Sequence, residues 1–336
     1  MTQDYRQAII SALAEEMRRD DSVMLMGEDI GRAGGVFRQT AGLFEEFGPR
    51  RVIDTPISEA GSFGMAVGAA MTGMKPVFEV MFGDFMTLIM DQLVNQAAKI
   101  AFMSAGQYTV PLVVRATMGT GSNLGPQHSQ SLYAWTCHVP GLKVVVPSTA
   151  ADAKGLYKSA IRDPHPVVIF EDRMLYGRKG EVPEGDDALV PLGSADVKRR
   201  GRDLTIVAVG RMVHHALRAA EILAEEGIEA EIVDPRSLVP LDLETLAASV
   251  RRTNRVLVVD GGARRYGAGA EIAASLSETA FDWLDAPVGR LSARDLPIPF
   301  SRSLEPLIQP DPARIAAAGR DLMRGRIPKP EETLGR

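Results

Sequence analysis

The chain has 336 residues, 45% hydrophobic and 24% charged, with a formal net charge of −5. That length predicts two domains with sizeable cores, and the acidic balance argues against a nucleic-acid footprint. A single cysteine, Cys137, excludes disulfide frameworks and cysteine-rich zinc sites. The N-terminus carries acids from Asp4 onward and lacks the apolar core of a signal peptide. No stretch approaches the ~20 apolar residues that span a bilayer, so the expectation is a soluble, cytoplasmic protein with no membrane partner.

Residues 5–19 have helical periodicity, with Ile9, Leu13 and Met17 on one stripe. An apolar run over 23–26 ends at Gly27 and predicts a strand; 51–54 predicts a second. A helix over 58–74, a strand over 76–80 and a long helix over 84–103 follow. Residues 111–116, 142–146 and 167–170 are β-branched runs, and a helix over 150–162 lies between the last two. Strands apolar on both faces, alternating with helices, predict a parallel sheet covered by helices. Residues 171–200 are polar and hold Gly177, Gly180, Pro183, Gly185 and Pro191. They predict a break between domains, and the basic run from Lys198 to Arg202 within them reads as a solvated turn. The alternation then resumes. Strands are predicted over 204–209, 229–233, 256–259 and 288–291. Helices are predicted over 213–226 (closed by Gly227), 243–252 and 267–280, with one more after Pro310.

The helix over 58–74 carries Gly61, Gly64 and Gly68 on one face. Each glycine costs roughly 1 kcal/mol against alanine there, so close approach of another element is expected to offset it. The small residues Ala66, Ala69 and Ala70 continue the pattern and favour a subunit interface. Glu59 follows Ser58, a good N-cap. An acid in a first turn often does no more than complement the helix dipole; a functional one would share a proton with a ligand nitrogen. The loop 119–129, GTGSNLGPQHS, follows a strand and holds His128. Loops at strand C-termini are where α/β folds bind ligands, though a histidine facing water is an equal reading. Met81, Phe82 and Phe85 follow the strand over 76–80 and suit either core packing or a planar cofactor. Neither a phosphate-binding GxxxxGK[ST] nor a GxGxxG occurs.

In the order Gly27-Glu28-Asp29, Asp54-Thr55-Pro56-Ile57-Ser58-Glu59, Asn95-Gln96-Ala97-Ala98-Lys99, Gln127-His128-Ser129-Gln130 and Pro140-Gly141-Leu142-Lys143-Val144-Val145, these strings resemble the β subunits of thiamine-diphosphate-dependent 2-oxo acid dehydrogenases. Asp152-Ala153-Lys154-Gly155-Leu156 and Gly267-Ala268-Gly269-Ala270-Glu271 extend the resemblance over residues 4–325. It implies an α/β fold of two doubly wound domains: a thiamine pyrimidine-binding domain over 1–180, a linker over 181–200 and a transketolase C-terminal-like domain over 201–328. It implies an α2β2 assembly with an α subunit, serving a dihydrolipoyl acyltransferase core. Glu59 matches the family glutamate on the cofactor's aminopyrimidine nitrogen, and His128 the family's active-site histidine. Met81 and Phe85 match pocket-lining positions, and Glu28 a glutamate near the cofactor. Some relatives bind potassium; the matching positions are Leu112, Ala160, Ile161, Asp163 and His165. The chain has no Gly-Asp-Gly, the start of the usual magnesium–diphosphate motif, so Mg2+ and the diphosphate half are expected on the α chain. Acetoin-type and pyruvate-type members look most similar; a branched-chain enzyme or a non-catalytic docking subunit are the alternatives.

Overall fold

The computed structural model describes residues 1–185 and 188–328. The chain divides into two units: Met1–Met118 with Trp135–Leu192, and Gly119–Ala134 with the chain from Gly193 on.

In the first unit, Asp4 starts the helix Tyr5–Arg19 with a capping box. Its carboxylate accepts from the Gln7 amide at 2.7 Å, and the Gln7 side chain accepts from the Asp4 amide at 3.0 Å. The stripe Ile9, Leu13 and Met17 is fully buried, and this face packs on the helix Ala150–Arg162. That helix has the expected bounds because Thr149 caps it, accepting from the Asp152 amide at 3.1 Å. Parallel strands run in the order Lys143–Val145, Val167–Asp172, Val113–Met118, Lys75–Val80, Val23–Gly27, Val52–Asp54. Nearly every residue of the central strands is buried, which explains the continuous apolar runs in the sequence.

Two expectations need correction. The helix expected over 84–103 is four pieces: a 3₁₀ turn Gly83–Phe85, an α-helix Met86–Asp91, a π-helix Gln92–Ala97 and a short helix Ile100–Met103. At the widened turn the Ala98 amide donates to the Leu93 carbonyl, five residues back, at 3.0 Å. Beyond it the Ala98 carbonyl presses on Gly141, where a Cβ could not stand, and Lys99 donates to the Pro140 carbonyl at 2.5 Å. The stretch 171–200 is likewise more ordered than its polarity predicts. Residues 171–172 finish the strand Val167–Asp172, Lys179–Glu181 pairs antiparallel with Thr2–Asp4, and Asp196–Arg199 is a strand. The basic run belongs partly to that strand: Lys198 pairs with Asp196 at 2.7 Å and Arg199 with Glu229 at 3.1 Å. Two-stranded ribbons and edge strands face water, so their sequence looks like loop.

The second unit orders its strands Gly289–Ala293, Val256–Ala263, Leu204–Ala208, Ala230–Asp234, Asp196–Arg199. The first four are parallel and the last is an antiparallel edge. Its core packs the helices Met212–Ala224 and Pro312–Met323 on one face through Ala216, Ala220, Leu223, Ile315 and Leu322. Gly227 takes φ +79°, and the next amide reaches back to Leu223 at 3.0 Å, closing the first of these helices as expected. Asp311 caps the second, accepting from the Arg314 amide at 2.8 Å. Among the described residues no helix is long and apolar enough to cross a membrane.

Candidate active site

At the C-terminal ends of adjacent parallel strands, two loops of the first unit are laced together. The Thr55 amide donates to the Gly27 carbonyl at 2.9 Å, and the Gly31 amide to the Asp54 carboxylate at 2.7 Å. One loop carries Glu28 and the other leads into the helix Glu59–Met71. The two acids are thereby brought together. Burial raises the pKa of the half-buried Glu28 above the usual carboxylate range, and the charges of Glu59 and then Asp29 raise it further. Ser58 does not cap this helix as its residue type predicts: its hydroxyl makes no capping bond, while its carbonyl accepts from the Ser62 amide at 2.9 Å and hydroxyl at 2.8 Å. The first-turn amides beside Glu59 are therefore not capped by the Ser58 side chain. Of the three helix glycines, Gly61 and Gly68 lie on the exposed face, and Gly68 has nothing within 4 Å of where its Cβ would be.

Met81 and Phe85 stand half-buried beyond the strand Lys75–Val80, and the Met81 carbonyl accepts from the Thr117 hydroxyl. Phe85 is the outermost of a run of rings: it meets Phe82 edge-on at 5.6 Å, Phe82 meets Phe37 at 5.6 Å, and Phe37 meets Tyr176 at 6.1 Å. The Arg173 guanidinium lies 5.5 Å from the Phe82 ring centroid and 5.8 Å from that of Phe37. The run ends on a buried ionic network that no sequence motif announces. Arg115 lies opposite Glu79 in register, and Glu171 is two residues past Arg115's other strand partner, on the same face. Arg115 grips Glu171 with two bonds of 2.9 Å and reaches Glu79 at 3.3 Å. Glu171 also accepts from the Tyr157 and Tyr176 hydroxyls, and Glu79 from the Gln39 amide at 2.6 Å.

Glu79 is pushed up to about 7, first by burial and then by Glu171, against the pull of Arg115 and Gln39. A carboxyl whose folded pKa lies above its unfolded value of 4.5 contributes stability fully below that value and loses it as pH rises through about 7. At 1.36 kcal/mol per pKa unit the loss is on the order of 3 kcal/mol. Glu79→Gln removes the titrating group while keeping an acceptor for Gln39. Stability measured by urea unfolding from pH 5 to 8 is expected to fall less steeply in the variant than in the parent; parallel curves would refute the assignment.

His128 belongs to the second unit and is half-buried on the loop 119–129. Thr120 at the start of this loop receives Arg211 on its carbonyl at 2.9 Å and on its hydroxyl at 3.0 Å. Gly125 takes φ +75°, a left-handed conformation that suits glycine, and the Phe300 ring stands where a side chain at 125 would be. A cavity of about 370 Å3 in this unit is bordered by Thr120, Pro126 and Ser129 of the loop and by Gly261, Arg294 and Gln309. Beneath it Asp260, fully buried, takes the Tyr133 hydroxyl and the amides of Gly262 and Gly269, each amide at 2.9 Å.

The five positions matched to a potassium site lie close in sequence or pairing. The Leu112 carbonyl accepts from the Val167 amide at 3.0 Å and the Ala160 carbonyl from the Asp163 amide at 3.2 Å. The Asp163 carboxylate is engaged by Lys143 and by the His165 amide at 3.0 Å, which leaves mainly backbone oxygens to offer a cation. Among the described residues no three His, Cys, Asp or Glu side chains form a metal-ligand cluster.

Residues 1–179 match the transketolase pyrimidine-binding domain family, and 193–315 the transketolase C-terminal domain family. The β-2 subunit of the mitochondrial pyruvate dehydrogenase E1 component from Oryza sativa subsp. japonica is 47% identical over 327 residues, 96% of this chain and 87% of the relative. The β subunit of acetoin:2,6-dichlorophenolindophenol oxidoreductase from Bacillus subtilis (strain 168) is 47% identical over 328 residues, 94% and 96% of the two chains. The pyruvate dehydrogenase E1 β subunit of Rhizobium meliloti (strain 1021) is 45% identical over 317 residues, 94% and 69% of the two chains. Among solved structures, a split-gene transketolase described as an inactive β4 tetramer superposes with a TM-score of 0.77 at 24% identity, covering 96% of this chain and 99% of that one; at that identity it speaks for the fold. Pairing a transketolase pyrimidine-binding domain with a transketolase C-terminal domain along one chain, this protein belongs to the transketolase-like family of pyruvate and acetoin dehydrogenase β subunits.

Proposed function

We propose that the chain is the β subunit of a thiamine-diphosphate-dependent 2-oxo acid or acetoin dehydrogenase, contributing the pyrimidine-binding half of an active site. The observation that carries this reading is the pairing of Glu28 and Glu59 on laced loops at the strand ends. The donor set fits the pyrimidine half of the cofactor. Glu59 offers a half-buried carboxylate to a protonated ring nitrogen, and Met81 and Phe85 offer thioether and aromatic surface to a planar ring. When bound, thiamine diphosphate supplies the carbanion-stabilising chemistry that no side chain can. Glu59 would hold a proton at the aminopyrimidine nitrogen, beside Glu28, whose carboxyl burial and the charge of Glu59 push toward its neutral form. His128, on the loop 119–129, serves as the proton-transfer group.

Magnesium and the diphosphate are held by an α subunit in an α2β2 assembly, and the exposed glycine face of the helix Glu59–Met71 receives another chain. The acyl group passes to the lipoyl groups of an acyltransferase core in the cytoplasm. Potassium, where bound, takes the carbonyls around Leu112, Ala160, Ile161, Asp163 and His165. The rice and Bacillus subtilis relatives are equally identical to this chain, so pyruvate and acetoin stand as equal candidates.

Dye reduction tests the proposal. The chain, co-purified with an α chain and supplied with magnesium and thiamine diphosphate, is expected to reduce dichlorophenolindophenol with pyruvate or acetoin in preference to branched-chain 2-oxo acids. A stable complex inactive on all of them would refute it.

A further inference from the structure

The loop that carries His128 is pinned by a carboxylate from near the end of the chain. Glu305, only 2% exposed, accepts from the Gly121 amide through one oxygen and from the Asn123 amide through the other, both at 2.9 Å. The Asn123 backbone is left-handed at φ +55°, so the two amides converge on one point and form a small anion-binding concavity. A charge-assisted pair of this kind is stronger than neutral bonds. Phe300, five residues before Glu305, stands against Gly125 and closes the same loop two residues further on. The arms of the clamp are thus Glu305 on Gly121 and Asn123, Phe300 on Gly125, and Arg211 on Thr120. They bracket the segment just ahead of His128.

We propose that Glu305 is a positioning residue for the reaction: its buried carboxylate fixes the backbone of the loop 119–129 and thereby places the His128 imidazole. The inference rests on the reading of His128 as a proton-transfer group. Misplacing a reacting group by about 1 Å can lower a rate by about 10²-fold, and the loop has no regular secondary structure of its own to hold it.

The test uses the assembled enzyme with its α chain. In Glu305→Gln, one of the two amides meets an NH2 donor instead of an acceptor, while side-chain volume is kept. Phe300→Ala loosens the same loop from a position that is 65% exposed. Hydrogen exchange is expected to speed up in residues 119–129 of both variants and to stay unchanged in the central strands. The value of kcat/KM is expected to fall about 10²-fold in Glu305→Gln, mostly through kcat, with the pH profile displaced. Unaltered exchange in the loop overturns the proposal. So does full turnover with a loosened loop, provided His128→Ala itself loses turnover. If His128→Ala is as active as the parent, the reading of His128 is what has failed, and the positioning role falls with it while the tether remains.

Discussion

Replacing Glu59 by glutamine is expected to lower turnover of the assembled enzyme by about 10³-fold, within the range that one positioned proton-transfer group contributes. The amide keeps the size of the side chain but holds no proton for a ring nitrogen. Glu59 is half-buried and takes part in no ion pair among the described residues, so thermal stability and association with the α chain are expected to be those of the parent. The measurement is steady-state dye reduction beside a melting curve and a gel-filtration profile. A variant that keeps more than a tenth of the parent's turnover would remove Glu59 from the chemistry. Loss of turnover together with loss of assembly would instead assign it to the scaffold.

The second large effect is on folding. Glu171→Ala is expected to destabilise the chain by about 3–5 kcal/mol, the usual consequence of leaving a buried charge without its partner. Arg115, 2% exposed, would keep only Glu79 at 3.3 Å, a carboxyl that burial already pushes toward its neutral form. The Tyr157 and Tyr176 hydroxyls would lose their acceptor as well. A double variant, Glu171→Met with Arg115→Met, removes both charges and is expected to be more stable than Glu171→Ala alone. Chemical denaturation of the three proteins decides the matter. If the single change costs under about 1 kcal/mol, the network is an ordinary solvated pair rather than a buried one.

Much of the fold was open to reading because parallel strands are buried on both sides. Runs such as Val113–Met118 and Val167–Asp172 stand out from helices whose apolar residues recur every third or fourth position. The helix Ala150–Arg162 was legible to the residue because a capping threonine and a turn bracket it. The π-helical turn at Gln92–Ala97 was not, since apolar residues continue through it and one widened turn barely shifts their phase. The strand Asp196–Arg199 looked like linker because an edge strand needs no apolar run. Among the candidate functional residues, the loops bearing Glu59 and His128 could each be found from local strings. Their supports could not. Arg115 and Glu171 are 56 residues apart and Gly121 and Glu305 are 184 apart, and only folding in three dimensions pairs them. One clue was available locally: charges inside otherwise apolar strands, such as Glu79 and Arg115, can be buried only if they answer one another.

The open glycine face of the helix Glu59–Met71 has a consequence for anyone engineering this protein. Gly68 has free space around it within the chain, so a methyl group there fits and adds about 1 kcal/mol of helix propensity. A thermal-shift screen run on the lone subunit would rank Gly68→Ala as an improvement. Where that face receives another chain, as proposed, the same methyl would hold a neighbouring backbone away from the helix. Selection for a hardier subunit and selection for a working complex therefore pull this position in opposite directions.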